Sequence, residues 1–219
     1  MVKSWSEGSA PPNFKVIQVN PEYECYIDHS STILGKIDLG RFTYISNNCF
    51  LFGRSQIRIG SFCSIGPHFH CATHEQHPMQ FAATYPMSQA IGVPLSRGDA
   101  KGLDPVGNVI DDFPVDIGND VWIGEQVTLS AGITIGDGCV IGTKSLVTKD
   151  CIPYGIYGGT PAKLIRMRFP DQIIEQLLAL KWWEWSLAKL RANAHFFEID
   201  LTQFEGTLAE EIREAPKAA

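Results

Sequence analysis

The sequence predicts a mainly β protein in which short parallel strands coil into a solenoid, with a protruding loop and a C-terminal α-helical segment. Three observations lead to this prediction. An aliphatic residue returns at every sixth position between Val115 and Thr148, a stretch rich in proline and glycine interrupts the same period, and helical periodicity follows Pro170. A helix repeats at about 3.6 residues and a half-buried strand at about 2, so a period of six favours a solenoid.

Each six-residue repeat offers two inward positions. The first holds a large aliphatic residue, at Ile117, Ile123, Leu129, Ile135, Ile141 and Val147. The second lies two residues earlier and is apolar or small, at Val115, Val121, Val127, Ile133, Cys139 and Ser145. Gly, Ser or Thr follows each aliphatic residue, and Asn-Asp and Asp-Gly pairs favour turns at the corners. We therefore expect three repeats to close one triangular coil, and each coil to cover the next.

The same period occurs earlier in the chain and shifts once. Eight residues separate Leu51 from Ile59, so two extra residues must fit around Phe52 to Gln56. The positions in phase are Ile33, Leu39, Ile45, Leu51, Ile59, Ile65 and Cys71. Residues 1–30 show no repeat, and we expect them to cover the open end of the solenoid.

Between Cys71 and Val115 the period is absent, and prolines and glycines are frequent. Loops of this length in compact domains usually have a function, so we predict a protruding arm at about 72–114. We predict a β-helix domain over residues 1–169 and a helical appendage over residues 170–219. The first helix of the appendage should begin at Pro170. Its predicted apolar face consists of Ile173, Ile174, Leu177, Leu178 and Lys181, and Ser186 should cap a second helix.

Composition excludes several classes of protein. The net charge is −6 and no basic stripe is present, so we expect no nucleic-acid partner. No apolar stretch is long enough to span a membrane, and residues 1–14 lack an apolar signal segment, so we expect a cytoplasmic protein. Cys49, Cys63 and Cys139 fall on inward positions and are expected to be core thiols. No Cys-x-x-Cys pair exists, which argues against a thiolate zinc site.

Four segments carry a resemblance to a known family: Ile117–Gly124 (IGNDVWIG), Val147–Asp150 (VTKD), Gly158–Arg166 (GGTPAKLIR) and Leu180–Trp185 (LKWWEW). They resemble the left-handed β-helix acyltransferases, and in particular the xenobiotic acetyltransferase branch with its type-B chloramphenicol and streptogramin acetyltransferases. The resemblance covers roughly residues 33–197. It implies left-handed coiling, a homotrimer with active sites between neighbouring subunits, and acetyl-CoA as the co-substrate. The implied reaction moves the acetyl group to a hydroxyl of a small acceptor.

Acyl transfer to a hydroxyl needs a group that accepts its proton, and a neutral histidine suits this near pH 7. His68, His70, His74 and His77 lie within ten residues. His77-Pro78 followed by Thr84-Tyr85-Pro86 is similar to the catalytic segment of the family, which makes His77 the predicted base. The spacing from His77 to Tyr85 leaves His74 as a rival. His68 and His70 flank the inward Phe69, so alternation on a strand directs both outward.

The resemblance also assigns positions that contact CoA. It places Trp122 along the pantetheine and thioester tunnel, and Gly142, Thr143, Thr148 and Lys149 against the cofactor. Lys163 and Arg166, joined by Arg168, would meet the phosphates, in agreement with their positive charge. The resemblance further implies that the acceptor is recognised by the arm and by the first coils of an adjacent subunit, where Tyr44 resembles an acceptor-site position. The tryptophans at 182, 183 and 185 are expected to dock the C-terminal helices on the solenoid rather than to form an acceptor pocket.

Three alternatives remain open at this point. The acceptor could be a sugar or amino sugar of the cell envelope instead of an antibiotic. The four histidines could supply three imidazole ligands to zinc, as in a metal-dependent lyase of the γ-carbonic anhydrase type. The chain could also be a scaffold without catalysis. Because a candidate base and a candidate phosphate site are both present, we expect the acetyltransferase, without a metal.

Overall fold

The computed structural model describes residues 14–20, 23–73, 81–85, 87–92 and 113–214. In these residues short β-strands dominate and the α-helices lie mostly at the C-terminus. The strands are β1 (Phe14–Asn20), β2 (Tyr23–Asp28), β3 (Thr32–Leu39), β4 (Tyr44–Ile45), β5 (Phe50–Ile59), β6 (Ser64–Ile65), β7 (His70–Thr73), β8 (Val115–Ile117), β9 (Trp122–Ile123), β10 (Thr128–Leu129), β11 (Thr134–Ile135), β12 (Val140–Ile141), β13 (Leu146–Val147), β14 (Gly155–Gly159) and β15 (Ala162–Met167). The helices are α1 (Met87–Ile91), α2 (Asp171–Leu180) and α3 (Leu187–Ala192), with 3₁₀ turns at Trp182–Glu184, Ala194–Glu198 and Leu208–Glu211.

Parallel pairing between successive coils arranges the strands in three faces, which confirms the predicted β-solenoid. Face A contains β2, β4, β6, β9, β12 and β14. Face B contains β7, β10 and β13 with the first halves of β3 and β5, and face C contains β8 and β11 with their second halves. We name the corners between them AB, BC and CA. About five coils are stacked along the axis.

The interior is filled by the inward positions that the repeat predicts. All twelve predicted between Val115 and Val147 are buried, with none more than 5% exposed. On face A the inward residues stack directly from coil to coil, as Ile27, Ile45, Ile65, Ile123, Ile141 and Tyr157. The core is therefore a set of vertical aliphatic ladders inside a triangular prism.

The six cysteines are all buried and none forms a disulfide. Burial raises the pKa of the Cys63 thiol to about 12. The pKa of Cys71 is also raised to about 12, again by burial. These side chains stay protonated at neutral pH and pack as small apolar groups. The expectation for Cys49, Cys63 and Cys139 is confirmed.

Non-glycine residues turn the corners in the left-handed backbone conformation, which L-residues rarely adopt. At most of these corners the residue's amide donates to a backbone carbonyl of the preceding coil, as His68 N does to Asn47 O at 3.0 Å, whereas Asn48 N donates to the Ser30 hydroxyl at 2.9 Å. His68 (φ 58°) thus lies on a corner rather than on the strand expected from the sequence, although it and His70 are both exposed as predicted. Equivalent residues are Phe42, Asn48, Phe62, Asp120, Gln126, Lys144 and Tyr154.

The solenoid begins earlier and ends later than the sequence suggests. β2 already belongs to the first coil because Tyr26 and Ile27 pair with Tyr44 and Ile45. At the other end β14 continues face A beyond Val147, the last position of the predicted repeat. Strands β1 and β15 pair antiparallel to β2 and β14 and so cover the two edges of face A. Covered edges cannot pair with another chain.

The predicted slip after Leu51 is confirmed as a bulge in β5. Gly35 pairs with Gly53 and Ile37 pairs with Ile57, so one residue of β3 lies opposite three residues of β5. One coil later the chain leaves face B after Thr73 and returns to face C at Val115. The predicted arm therefore lies between these two strands, and between Thr73 and Phe113 the structure describes residues 81–85 and 87–92.

The C-terminal segment packs on corner CA. The Arg41 guanidinium donates to the backbone carbonyls of Trp183 (2.6 and 3.2 Å) and Trp185. The ring of Trp182 lies 4.9 Å from that of Phe62, and Trp183 and Trp185 are buried. The tryptophans dock the helices, as predicted.

Two details of the predicted helices are wrong. Pro170 precedes α2 as its cap rather than beginning it, because its ψ of 150° is extended. Lys181 is not on the apolar face, since it ends the helix in the left-handed conformation and is exposed. Ser186 caps α3 as predicted, and its hydroxyl accepts from Lys189 N at 3.2 Å. The division of the chain at residue 170 stays a prediction, because the second apolar cluster combines Tyr154 of the solenoid with α2 and the segment after it.

Within the described part of the chain, no helix combines the length and the apolar character that crossing a membrane would require.

Candidate active site

Three of the residues singled out from the sequence lie on one outward row of face A. Tyr44 pairs with Ser64, which pairs with Trp122, and the row continues through Val140 and Ile156 to Arg166. Tyr44 is 42% exposed and Trp122 is 58% exposed. Because neighbouring strands are spaced by about 4.8 Å, Tyr44 and Trp122 are about 10 Å apart. Tyr44 therefore shares one surface with two of the candidate cofactor residues, Trp122 and Arg166.

Gly142 and Thr143 lie on corner AB, directly after β12 of this face. Gly142 N donates to Tyr157 O at 2.8 Å, which fixes the corner to the coil beyond. A Cβ on Gly124, one coil earlier, would lie 2.7 Å from Thr143 N, so the two corners touch through their backbones. Glu125 follows Gly124 and is exposed beside them. Trp122, Gly142 and Thr143 are brought together at one edge of face A.

Thr148 and Lys149 lie elsewhere, on corner BC at the far end of the two-residue strand β13. Both are exposed. The length of face B separates them from Gly142 and Thr143, and five residues of extended chain from Thr143 to Thr148 span at most about 17 Å. The structure therefore divides the predicted cofactor contacts between two corners.

Lys163 and Arg166 are both exposed on β15. Lys163 lies opposite Gly158, near corner AB, and Arg166 lies opposite Ile156, on the outward row. Lys163, Lys149 and Lys144 form no ion pair with another described residue. Arg166 donates to its neighbouring carbonyl, Met167 O, at 3.0 Å. These cations keep their charge available to an anion from solution.

Arg168 does not join this pair, contrary to the sequence-based expectation. Its guanidinium binds the Asp120 carboxylate at 2.9 Å and donates to Gly138 O at 2.7 Å. The guanidinium also lies over the rings of Tyr154 and Phe169. Burial raises the pKa of Asp120, and Arg168 opposes that shift. Arg168 therefore has a structural role between the solenoid and the C-terminal segment.

The predicted base His77 and its rival His74 lie outside the described residues. The other two histidines of the group are described. His68 is on corner AB, and the ring of His70 stacks on that of Phe50 with centroids 5.2 Å apart. Among the described residues no group of three or more histidine, cysteine, aspartate or glutamate side chains could hold a metal ion.

Contacts at the root of the arm were not anticipated from the sequence. Ser55, in the bulge of β5, bonds to Thr73 before the arm and to Phe113 after it. The sequence contained one indication of these contacts: the six-residue period gains two residues after Leu51, one coil before the arm interrupts it.

The family model and the similar sequences that match this chain agree with one another. The family described as "Bacterial transferase hexapeptide (six repeats)" matches residues 114–149. A chloramphenicol acetyltransferase from Agrobacterium fabrum is 46% identical over 142 residues, which are 64% of this chain and 65% of that protein. One from Klebsiella aerogenes is 40% identical over 172 residues, covering 71% of this chain and 79% of that protein.

Over a shorter stretch the chain is also similar to an enzyme whose name contains a sugar acceptor. The galactoside O-acetyltransferase of Escherichia coli (strain K12) is 52% identical over 54 residues, which are 25% of this chain and 27% of that protein. The Klebsiella match, in contrast, extends over more than two thirds of both chains. The chain therefore belongs to the hexapeptide-repeat acetyltransferases, in the xenobiotic branch that includes the chloramphenicol acetyltransferases.

Proposed function

We propose that the protein transfers the acetyl group of acetyl-CoA to a hydroxyl of a small antibiotic-like acceptor such as chloramphenicol or streptogramin A. The observation that carries the proposal is the 40% identity to a chloramphenicol acetyltransferase over 79% of its length. The geometry supports it, because an exposed indole, two glycine-containing corners and unpaired cations lie around one edge of face A.

The proposed cofactor contacts divide by chemistry. Trp122 offers a large apolar surface for the pantetheine chain, and Gly142-Thr143 offers backbone close to it. Lys163 and Arg166 bind phosphate oxygens through charge-assisted hydrogen bonds. Thr148 and Lys149, on corner BC, contact a more distant part of the same ligand. Acetyl-CoA supplies an activated thioester, and these residues hold and orient it.

The proposed base is His77, with His74 as the rival. As neutral imidazole, it accepts the proton of the acceptor hydroxyl while the oxygen attacks the thioester carbon, and the CoA thiolate leaves. Tyr44 contacts the acceptor about 10 Å from Trp122 along the outward row. The proposal includes a homotrimer in which a neighbouring subunit completes the site. The exposed rings of Tyr44 and Trp122 on face A and of Phe50 on face B give the trimer apolar surface to bury.

The proposal is tested by thiol release from acetyl-CoA. The panel contains chloramphenicol, a streptogramin A, galactosides and nucleotide-linked sugars, with mass spectrometry of each product. We expect turnover with at least one of the two drugs and an increase of about 42 Da in its mass, because an acetyl group replaces the hydrogen of a hydroxyl. Turnover with sugars alone would reject the antibiotic acceptor in favour of a sugar acetyltransferase. Stoichiometric zinc in the purified protein, together with no thiol release, would favour the metal-dependent lyase.

The phosphate assignment predicts a selective loss of CoA affinity. In the double variant Lys163→Ala/Arg166→Ala we expect the dissociation constant for CoA to rise by about 10- to 100-fold, since each charged hydrogen bond contributes about 1.5 to 3 kcal/mol before screening by solvent reduces it. Isothermal titration with CoA measures this change. Dephospho-CoA should lose less affinity than CoA if one of the two residues binds the 3′-phosphate.

A matched control removes the same charge elsewhere. Lys36→Ala/Arg191→Ala also deletes two exposed cations, one at corner BC of the first coil and one on α3. CoA affinity should be unchanged in this variant. Equal losses in both double variants would mean that only net charge matters, and an unchanged affinity in Lys163→Ala/Arg166→Ala would reject the assignment.

A further inference from the structure

The bulge of β5 lies directly beneath the opening of the arm. Gly53 pairs with Thr73, the last residue of β7, and Ile57 pairs with Val115, the first residue of β8. One continuous strand thus holds both roots of the arm. Ile57 lies four positions after Gly53 on the same strand, so the two roots are fixed within about 13 Å of each other.

The strand pairing with the previous coil skips the bulge, because Lys36 alone lies opposite residues 54–56, although the Gln56 side chain donates to the Asp38 carboxylate at 3.0 Å. Bulge residues must satisfy their backbone groups elsewhere. Thr73 supplies both partners of Ser55: its Oγ1 accepts from Ser55 N at 3.0 Å and donates to Ser55 O at 2.9 Å. Thr73 is only 2% exposed, so water does not replace these bonds.

Ser55 also binds the returning end of the arm. Its hydroxyl accepts from Phe113 N at 3.2 Å. Ser55 therefore connects Thr73, where the arm leaves, with Phe113, where it returns. The rival base, His74, follows Thr73 directly, and the predicted base, His77, lies four positions after Thr73.

We propose that Ser55 and Thr73 form a clamp that positions the catalytic histidine by fixing both ends of the arm on the bulge of β5. This inference rests on the proposed acetyl transfer with a base in the arm. Ser55 and Thr73 are positioning residues: neither needs to touch substrate.

Thr73→Val tests the clamp, because it keeps the shape of the side chain and removes the hydroxyl. We expect kcat to fall by about 100-fold, the loss that a displacement of about 1 Å at a catalytic group produces. The dissociation constant for CoA, measured on the same preparation, should stay unchanged. Thr73→Ser keeps the hydroxyl and should restore kcat close to that of the wild type. Ser55→Ala removes only the bond to Phe113 and should lose less activity than Thr73→Val.

Amide hydrogen exchange tests whether the hydrogen bonds of the clamp exist, and it does so independently of catalysis. The amide of Phe113 should exchange about tenfold faster in Ser55→Ala than in the wild type, because a protected amide loses its acceptor. If the wild type transfers acetyl to no acceptor, the proposed function fails while this measurement still decides whether the clamp exists. If the Phe113 amide exchanged at the same rate in Ser55→Ala as in the wild type, the clamp would be overturned. A normal kcat in Thr73→Val, or an equal loss in Thr73→Ser, would overturn its positioning role.

Discussion

His77→Ala should lower kcat by about two to four orders of magnitude, the range over which positioned general bases act. The imidazole is the group expected to accept the hydroxyl proton, and alanine leaves no acceptor in its place. CoA affinity and oligomeric mass should not change, because the proposed cofactor contacts lie on the solenoid. Steady-state turnover, titration with CoA and light scattering measure the three quantities.

The pH profile makes the assignment more specific. A base must be neutral to act, so wild-type kcat should fall as the pH drops through about 6.5, the ordinary histidine pKa. The residual rate of His77→Ala should lack that step. His29→Ala provides the control, since His29 is exposed on the first coil and should have no effect. If His77→Ala is fully active and His74→Ala is inactive, the base is His74.

The six-residue period predicted the interior of the solenoid because each inward residue contacts its equivalents in the neighbouring coils. Ile123, for example, lies between Ile65 and Ile141 on face A, so its burial follows from the repeat alone. The ends of the solenoid follow other rules. β1 and β15 pair antiparallel to their neighbours, and β14 lies in a stretch of glycines. Neither end therefore shows the six-residue period that identifies the central coils of the solenoid.

The candidate site was only partly predictable. Tyr44 and Trp122 are 78 residues apart in the sequence. Whether they share a row depends on how the strands before and after the β5 bulge and the arm are paired, and the sequence alone does not determine that pairing. Arg168 was misassigned because basic residues near Arg166 suggest phosphate binding. Its partner Asp120 is 48 residues away and becomes adjacent only through the coiling of the chain.

Ile123→Ala should reduce the free energy of unfolding by about 2 to 5 kcal/mol, the usual cost of truncating a buried isoleucine to alanine. The side chain is 0% exposed and occupies the middle of the face A ladder, between Ile65 and Ile141. The neighbouring backbones are fixed by coil-to-coil hydrogen bonds, such as that from Gly124 N to Ile141 O at 2.8 Å, so the cavity cannot close easily. Ile123→Val, which removes one methylene, should cost about 0.5 to 1.5 kcal/mol.

The matched control is Ile152→Ala, which removes the same atoms from a side chain that is 52% exposed. A surface truncation of this kind should change stability by no more than about 0.5 kcal/mol. Urea unfolding followed by circular dichroism measures all three variants, at one fixed protein concentration because association would add to the stability. Each coil of a solenoid contacts only its neighbours, so a defect in the fourth coil weakens the stack on both sides of it. If Ile123→Ala and Ile152→Ala were equally stable, the ladder of face A would contribute nothing beyond surface packing, and the solenoid would depend on its hydrogen bonds alone.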